Sequence, residues 1–179
     1  LDRFILVSNS DAHSAPKVGR ESNIFDTEFS YDGIFNALKN PDDKGLIGTV
    51  EFFPDEGKYH YDGLREYESR LHPRETIANG GRCPVSGKKV TIGVMHRIEL
   101  LADRNEGKKP KRWRPYHSLI TLPEVISDVL QKGVNTKGVQ KTYFDMLAKL
   151  GNEMTILLDH DIASIENETN DTIAEAIRR

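Results

Sequence analysis

Apolar residues are distributed differently in the two ends of the chain. Near the start they come in short continuous runs. "RFILVS", Arg3 to Ser8, is β-branched and brief, which predicts a buried strand ending in the polar loop "NSDAHS". "GLIGTVEFFP", Gly45 to Pro54, predicts a second strand. Between them Ser30 precedes "YDGIFNALKN", with Ile34, Phe35 and Leu38 on one side, the pattern of a capped short helix.

From Asp55 to Lys89 the periodicity is lost, and Gly, Asp, Arg and Pro dominate. This predicts a small hairpin-rich module. It closes with an alternating strand, "KVTIGV" (Lys89 to Val94), and a short helix, "HRIELLADR" (His96 to Arg104). A basic loop follows from Asn105 to Ser118, and beyond it the helical period takes over. Val125, Ile126, Val129 and Leu130 share one face behind Pro123 in a first turn. Val139, Tyr143, Met146, Leu147 and Leu150 share another, with Asn135 as cap and Gly151 as stop. "MTILLD" is expected as a strand and "DTIAEAIRR" as a closing helix. There is no internal repeat and no low-complexity segment.

Composition narrows the classes. The chain has 179 residues, 37% hydrophobic and 30% charged, which suits one ordinary domain or two small ones rather than a disordered segment. No apolar run approaches the roughly 18 residues of a membrane span. A single cysteine excludes an intramolecular disulfide and fits a reducing, cytoplasmic setting. The glycosylation-like triplets at Asn167 and Asn170 are then expected to be chance matches. The net charge of -3 means that any nucleic-acid surface must be local. The chain starts at Leu1, runs almost directly into the first expected strand and lacks the order of a signal peptide. It is expected to be part of a longer protein.

Four stretches carry candidate chemistry. In "SDAHS", Asp11 and His13 are two residues apart; in extended backbone they point the same way and can converge on one cation. The competing reading is a polar loop with an Asx turn. In "GKYHYDG", Lys58, His60 and Asp62 alternate, so one strand face carries all three, toward phosphate, metal or solvent. "KKPKRWRP" sets Lys108, Lys109, Lys111, Arg112 and Arg114 around Trp113: cations for phosphates and an aromatic for stacking, or else a solvated loop with its tryptophan on the core. "RCPVSGKK" resembles half a zinc knuckle, but such a site needs four ligands. Cys83 is the only cysteine, Ser86 stands where a second thiol belongs, and the places for an upstream pair hold Leu64 and Tyr67. There is no Walker A loop, GxSxG or HExxH motif, which argues against a complete ATPase, an α/β-hydrolase or a zincin.

Taken together and in order, "LVSNSDAHS", "TVEFFPDEGKYHYDG", "NGGRCPVSGKKVTIGVMHRIELLADR" and "LLDHDIASI...IAEAIRR" resemble the PHP-domain family of endonuclease Q. The resemblance implies an α+β chain in three parts. Residues 1–48 would be the C-terminal end of a PHP-type α/β barrel, 49–104 a zinc-knuckle-like module and 105–179 a mainly helical region. It implies a metal-dependent DNA-repair endonuclease that cuts 5' to uracil, hypoxanthine or abasic sites. "SDAH" is similar to the last metal-binding motif of the PHP domain, so Asp11 and His13 are the implied catalytic and metal-ligating residues. Their ions would be Zn, Mn or Mg in the full-length protein. The family's earlier HxH motif is absent from this chain, so the chain alone is expected to be inactive. Relatives carry one His and three Cys in the knuckle. Here Leu64, Tyr67, Cys83 and Ser86 occupy those places, so no structural zinc is expected. The expected partner is DNA containing deaminated bases, with possible replication or repair proteins and no membrane. Lys58, His60 and the 108–114 loop are the expected DNA contacts. The alternatives are a non-catalytic DNA-binding module, or a PHP-class phosphoesterase acting on small phosphoesters.

Overall fold

The computed structural model describes residues 4–40, 45–57 and 60–179, and the chain is a mixed α+β protein. It divides into two compact units, Leu1–Asn9 with Glu21–Tyr116, and Ser10–Arg20 with His117–Arg179. No helix among the described residues is long and apolar enough to cross a membrane.

The first unit begins with β1 (Ser22–Phe25), antiparallel to β2 (Leu46–Glu51), with Ser22 opposite Val50 and Phe25 opposite Leu46. Helix α1 (Tyr31–Lys39) connects them, and Ser30 Oγ accepts the Gly33 N–H as expected for its cap. Ala37 of α1 and Leu46 and Val50 of β2 are buried. The expected strand at 3–8 does not form among its described residues. Instead the Asn23 side chain takes both Ser8 backbone groups: Ser8 N–H donates to Oδ1 (3.0 Å) and Nδ2 donates to the Ser8 carbonyl (2.7 Å). One side-chain amide thus replaces a strand ladder, and Phe4, Leu6 and Val7 stay exposed.

Next comes a hairpin, β3 (Asp62–Leu64) with β4 (Ser69–Leu71), turned by a 3-10 segment and by Glu68 in the left-handed region (φ 47). Helix α2 (Pro73–Ala78) opens on a reciprocal cap. The His72 ring accepts from Arg74 N–H, and the Glu75 carboxylate accepts from His72 N–H. The knuckle turn is closed by Cys83 N–H to the Lys88 carbonyl and Gly87 N–H to the Cys83 carbonyl, each 2.8 Å. "KVTIGV" forms no strand; it supplies two isolated bridges, Lys89 to Arg82 and Thr91 to Gly63. Helix α3 (Val94–Leu101) follows. The sheet order is β1-β2-β5, with β5 (Tyr116–Ser118) starting where the first unit ends.

The second unit is helical: α4 (Leu122–Leu130), α5 (Lys137–Leu150), α6 (Glu153–Leu158), α7 (Ile162–Glu168) and α8 (Asp171–Arg178). The expected face of α4 is half right: Ile126 is fully buried, while Val129 and Leu130 pack at the edge of the core. Val139, Met146 and Leu150 are buried on α5, which ends at Gly151 (φ 98); its cap is Thr136, one residue past the expected Asn135. "MTILLD" is helix α6, not a strand. A six-residue apolar run has no decisive period, and Asn152 accepting the Thr155 N–H (3.0 Å) starts a helix there. The same device opens α7 from Asp161 and α8 from Asn170. Glu153 ties three helices: it accepts from Leu122 N–H (2.8 Å) and from Tyr143 Oη–H (3.0 Å).

Removing Ile126 side-chain bulk leaves a void at the centre of this helical core. Ile126→Ala is expected to lower stability by about 2–5 kcal/mol, read by urea denaturation followed by circular dichroism. A loss within experimental error would show that the site is not close-packed.

Candidate nucleic-acid interface

The basic loop is held against the sheet by backbone groups. Arg114 Nε–H donates to the Leu46 carbonyl (2.8 Å), and Thr49 N–H donates to the Pro115 carbonyl (3.1 Å). Gly48 permits this approach, because a Cβ there would lie 2.9 Å from the Pro115 oxygen. Trp113 N–H closes a turn onto the Pro110 carbonyl (3.1 Å), and Lys109 Nζ sits 3.5 Å from the centre of the Trp113 ring. Lys109, Arg112, Trp113 and Arg114, expected together from sequence, are thus one local cluster. Arg114 serves partly to anchor it, and Trp113 remains 36% exposed.

Asp11 and His13 belong to the second unit. Asp11 has φ 44, so the backbone is not extended and the same-face spacing argument does not operate. The two residues meet differently: His13 Nδ1 lies 2.7 Å from the Asp11 carbonyl, which can only accept, so Nδ1 carries a proton and, in the neutral ring, Nε2 is the lone-pair nitrogen. That tautomer suits a metal ligand whose second ring nitrogen is tied to a carbonyl. Both side chains are exposed. Two donors fit part of a cation site, and among the described residues no group of three or more His, Cys, Asp or Glu gathers to complete one.

At the knuckle, Cys83 is buried (1% exposed). The Ser86 hydroxyl, helped by the Ser86 and Val85 backbone and the Ser69 hydroxyl, brings its thiol down to about 7 against the effect of burial. Leu64 N–H donates to Ser69 Oγ (2.9 Å), and Lys88 lies over the Tyr67 ring (5.0 Å) while pairing with Glu66 (3.1 Å). The side-chain partners of the single thiol are thus two hydroxyls, those of Ser86 and Ser69. This donor set does not fit tetrahedral zinc.

Of the alternating Lys58, His60 and Asp62, only Asp62 lies in a strand, β3, among the described residues, and it lines one cavity together with His60. Lys58 lies outside the described residues. His60 stands edge-on to Tyr61 (4.4 Å), with Nε2 3.8 Å from Asp55, which also pairs with Arg70. His60 lines a cavity of about 670 Å³ that shares no lining residue with the one beside Trp113. Asp62 points inward and is 1% exposed. Its carboxylate accepts Gly93 N–H (2.7 Å) and faces His96 Nδ1 (2.6 Å), at the start of α3. Sequence reading missed this pair because its members are 34 residues apart. The only local signal was an acid within an otherwise exposed pattern. Burial pushes the Asp62 carboxyl up, and the Gly93 N–H and His96 ring outweigh it, so its pKa is lowered overall.

Asp62→Asn is expected to cost about 1–3 kcal/mol of folding stability near neutral pH. Because the folded pKa lies below the unfolded one, the carboxylate contributes fully above the ordinary aspartate range. That contribution fades as pH falls from there through the lower folded value. Denaturation of wild type and variant across that window should therefore converge on acidification. A pH-independent gap would refute the assignment.

Residues 121–179 match the model of the MJ0043 C-terminal domain. Over 96% of its length the chain is 31% identical to protein MJ0043 of Methanocaldococcus jannaschii, of which it spans 22%. Over 113 residues, 62% of the chain, it is 30% identical to YqxK of Bacillus subtilis, of which the match spans 28%. Its structure neighbours are endonuclease Q proteins. One is the lesion-specific endonuclease PfuEndoQ of Pyrococcus furiosus (TM-score 0.85, 31% identity, 96% of this chain and 43% of that one). Another is an endonuclease Q in complex with a 27-mer duplex substrate bearing an abasic lesion at the active site (TM-score 0.78, 31% identity, 96% of this chain and 44% of that one). The chain therefore spans less than half the length of each of these relatives.

Proposed function

We propose that this chain is the DNA-holding part of a lesion-specific, metal-dependent DNA-repair endonuclease. The observation that carries the reading is the likeness to endonuclease Q over 96% of the chain at a TM-score of 0.85. The pinned cationic loop around Trp113 supports it with suitable chemistry. In this reading the longer protein cuts 5' to uracil, hypoxanthine or abasic sites. Residues 1–48 end its PHP-type barrel, 49–104 form the knuckle module, and 105–179 form the helical part.

Asp11 and His13 contribute two ligands of a divalent-cation site, and other segments of the longer protein supply the rest. A bound Zn, Mn or Mg ion there offers Lewis-acid polarisation of the scissile phosphate and acidification of a bound water. The Asp11 carbonyl orients the His13 ring by accepting from Nδ1, which leaves Nε2 as the nitrogen available to a cation. Lys108, Lys109, Lys111 and Arg112 neutralise backbone phosphates, with His60 and Lys58 as further contacts. The chain alone binds DNA without cutting it, because no third ligand joins Asp11 and His13 among the described residues.

The purified chain, given Mn or Mg, is expected to leave uracil-containing and abasic duplexes intact. The longer protein is expected to cut them and to lose that cutting on Asp11→Ala. Cleavage by the chain alone, or undiminished cleavage by the D11A full-length enzyme, would sink the assignment. A panel of small phosphoesters tests the competing phosphoesterase reading in the same preparation.

The knuckle module is further proposed to fold without zinc, since Leu64, Tyr67 and Ser86 stand where ligands would be required. Elemental analysis is expected to find less than stoichiometric zinc, and a strong chelator to leave the melting temperature unchanged. One zinc per chain, lost together with stability on chelation, would reverse this.

A further inference from the structure

Helix α3 carries its polar side inward and its apolar side outward. His96 faces the buried Asp62 (2.6 Å), whose other oxygen takes the Gly93 N–H (2.7 Å) at the head of the helix. Three residues on, the Glu99 carboxylate accepts from Arg74 of α2 (2.7 Å). These contacts fix the rotation of α3 by charge and hydrogen bonding. Val94, Ile98 and Leu101, at the spacing i, i+4, i+7, form one stripe on the other side. They are 59%, 51% and 64% exposed, and no residue of α3 is buried. A surface helix of a self-sufficient domain does the reverse and sets its apolar stripe on the core. Rotating α3 to bury the stripe would strip the buried Asp62 of its partners.

An exposed apolar stripe with a polar border is the mark of a surface that meets a partner. We propose that it is an internal joint: a segment of the longer protein outside residues 1–179 packs on Val94, Ile98 and Leu101 and sets a carboxylate against Arg97. This rests on the reading of the chain as part of a longer endonuclease. Two observations choose this occupant. The chain aligns over 96% of its own length but only 43% of PfuEndoQ, so more than half of a protein with this fold lies beyond it. Arg97 borders the stripe and is exposed, and its guanidinium has no partner among the described residues, so it calls for an acid on the opposing surface. A second copy meeting stripe to stripe would instead bring two uncompensated Arg97 cations into one interface.

Thiol labelling of Ile98→Cys reads the joint, with peptide mass spectrometry separating this thiol from that of Cys83. The variant chain, its fold checked by circular dichroism, is expected to label as an exposed thiol does. The longer protein carrying I98C is expected to label about tenfold more slowly. Leu101→Cys gives the same reading at a second point of the stripe, should I98C not fold. Arg97→Glu is expected to raise the labelling of the longer protein and to leave that of the chain unchanged. Equal labelling of chain and longer protein would overturn the joint. So would protection that disappears on dilution, which assigns the stripe to a second copy or a separate partner. A labelling rate indifferent to Arg97→Glu would overturn the carboxylate contact. Cutting of an abasic duplex is assayed in the same preparations. Protection without cutting keeps the joint and counts against the endonuclease reading, and cutting without protection does the opposite.

Discussion

A carboxylate withdrawn from water must find partners or lose its charge, and Asp62 finds two at the first turn of one helix. It takes the Gly93 N–H on one oxygen and faces His96 with the other. Around this contact Gly63 and Thr91 exchange backbone hydrogen bonds, and Met95 N–H reaches the His60 carbonyl (3.0 Å). Gly93 has to be glycine for the same reason: a Cβ there would collide with the carbonyls of His60 and Tyr61. The hairpin, the knuckle turn and α3 are thereby locked into one module with few apolar residues; Cys83 and Val90 are its buried hydrophobes.

This matters for the knuckle. A module of this size with so small a core ordinarily draws on a metal or disulfides for stability. Here the single thiol is held by serine groups, and the Lys88–Glu66 pair with the Tyr67 ring crosses the turn. Such exposed pairs stabilise weakly, so the buried Asp62 network is the larger contributor. The helical unit uses a related device in Glu153, whose two oxygens join the starts of α4 and α6 to the middle of α5. There, however, a continuous apolar core does most of the stabilising.

The candidate interface follows from the same economy of backbone contacts. The loop at 108–114 carries its cations outward because Arg114 and Pro115 bind β2 through main-chain groups. Trp113 is placed by its own turn rather than by burial. An aromatic held in this way beside unburied lysines suits a surface that meets a charged, stacked polymer. In the proposed reading Asp11 and His13 carry a different chemistry, that of part of a cation site, and the Asp11 carbonyl holds the His13 ring through Nδ1.

Patterns with a strong local cause were legible in the residues alone. Ser30 capped its helix, the 3.6 period marked α4, α5 and α8, and Gly151 ended α5, because capping, period and left-handed termination act over a few neighbouring residues. The expected convergence of the Asp11 and His13 side chains was not legible, because Asp11 adopts a left-handed backbone and only its carbonyl meets the His13 ring. Tertiary structure alone decided the rest. "RFILVS" lost its ladder to the Asn23 amide, and "MTILLD" became a helix under the Asn152 cap. Asp62 turned inward to a histidine far along the chain, and the apolar stripe of α3 turned outward with it. Local propensity separates helix from strand poorly in short apolar runs, and no local rule says which distant partner will satisfy a buried charge.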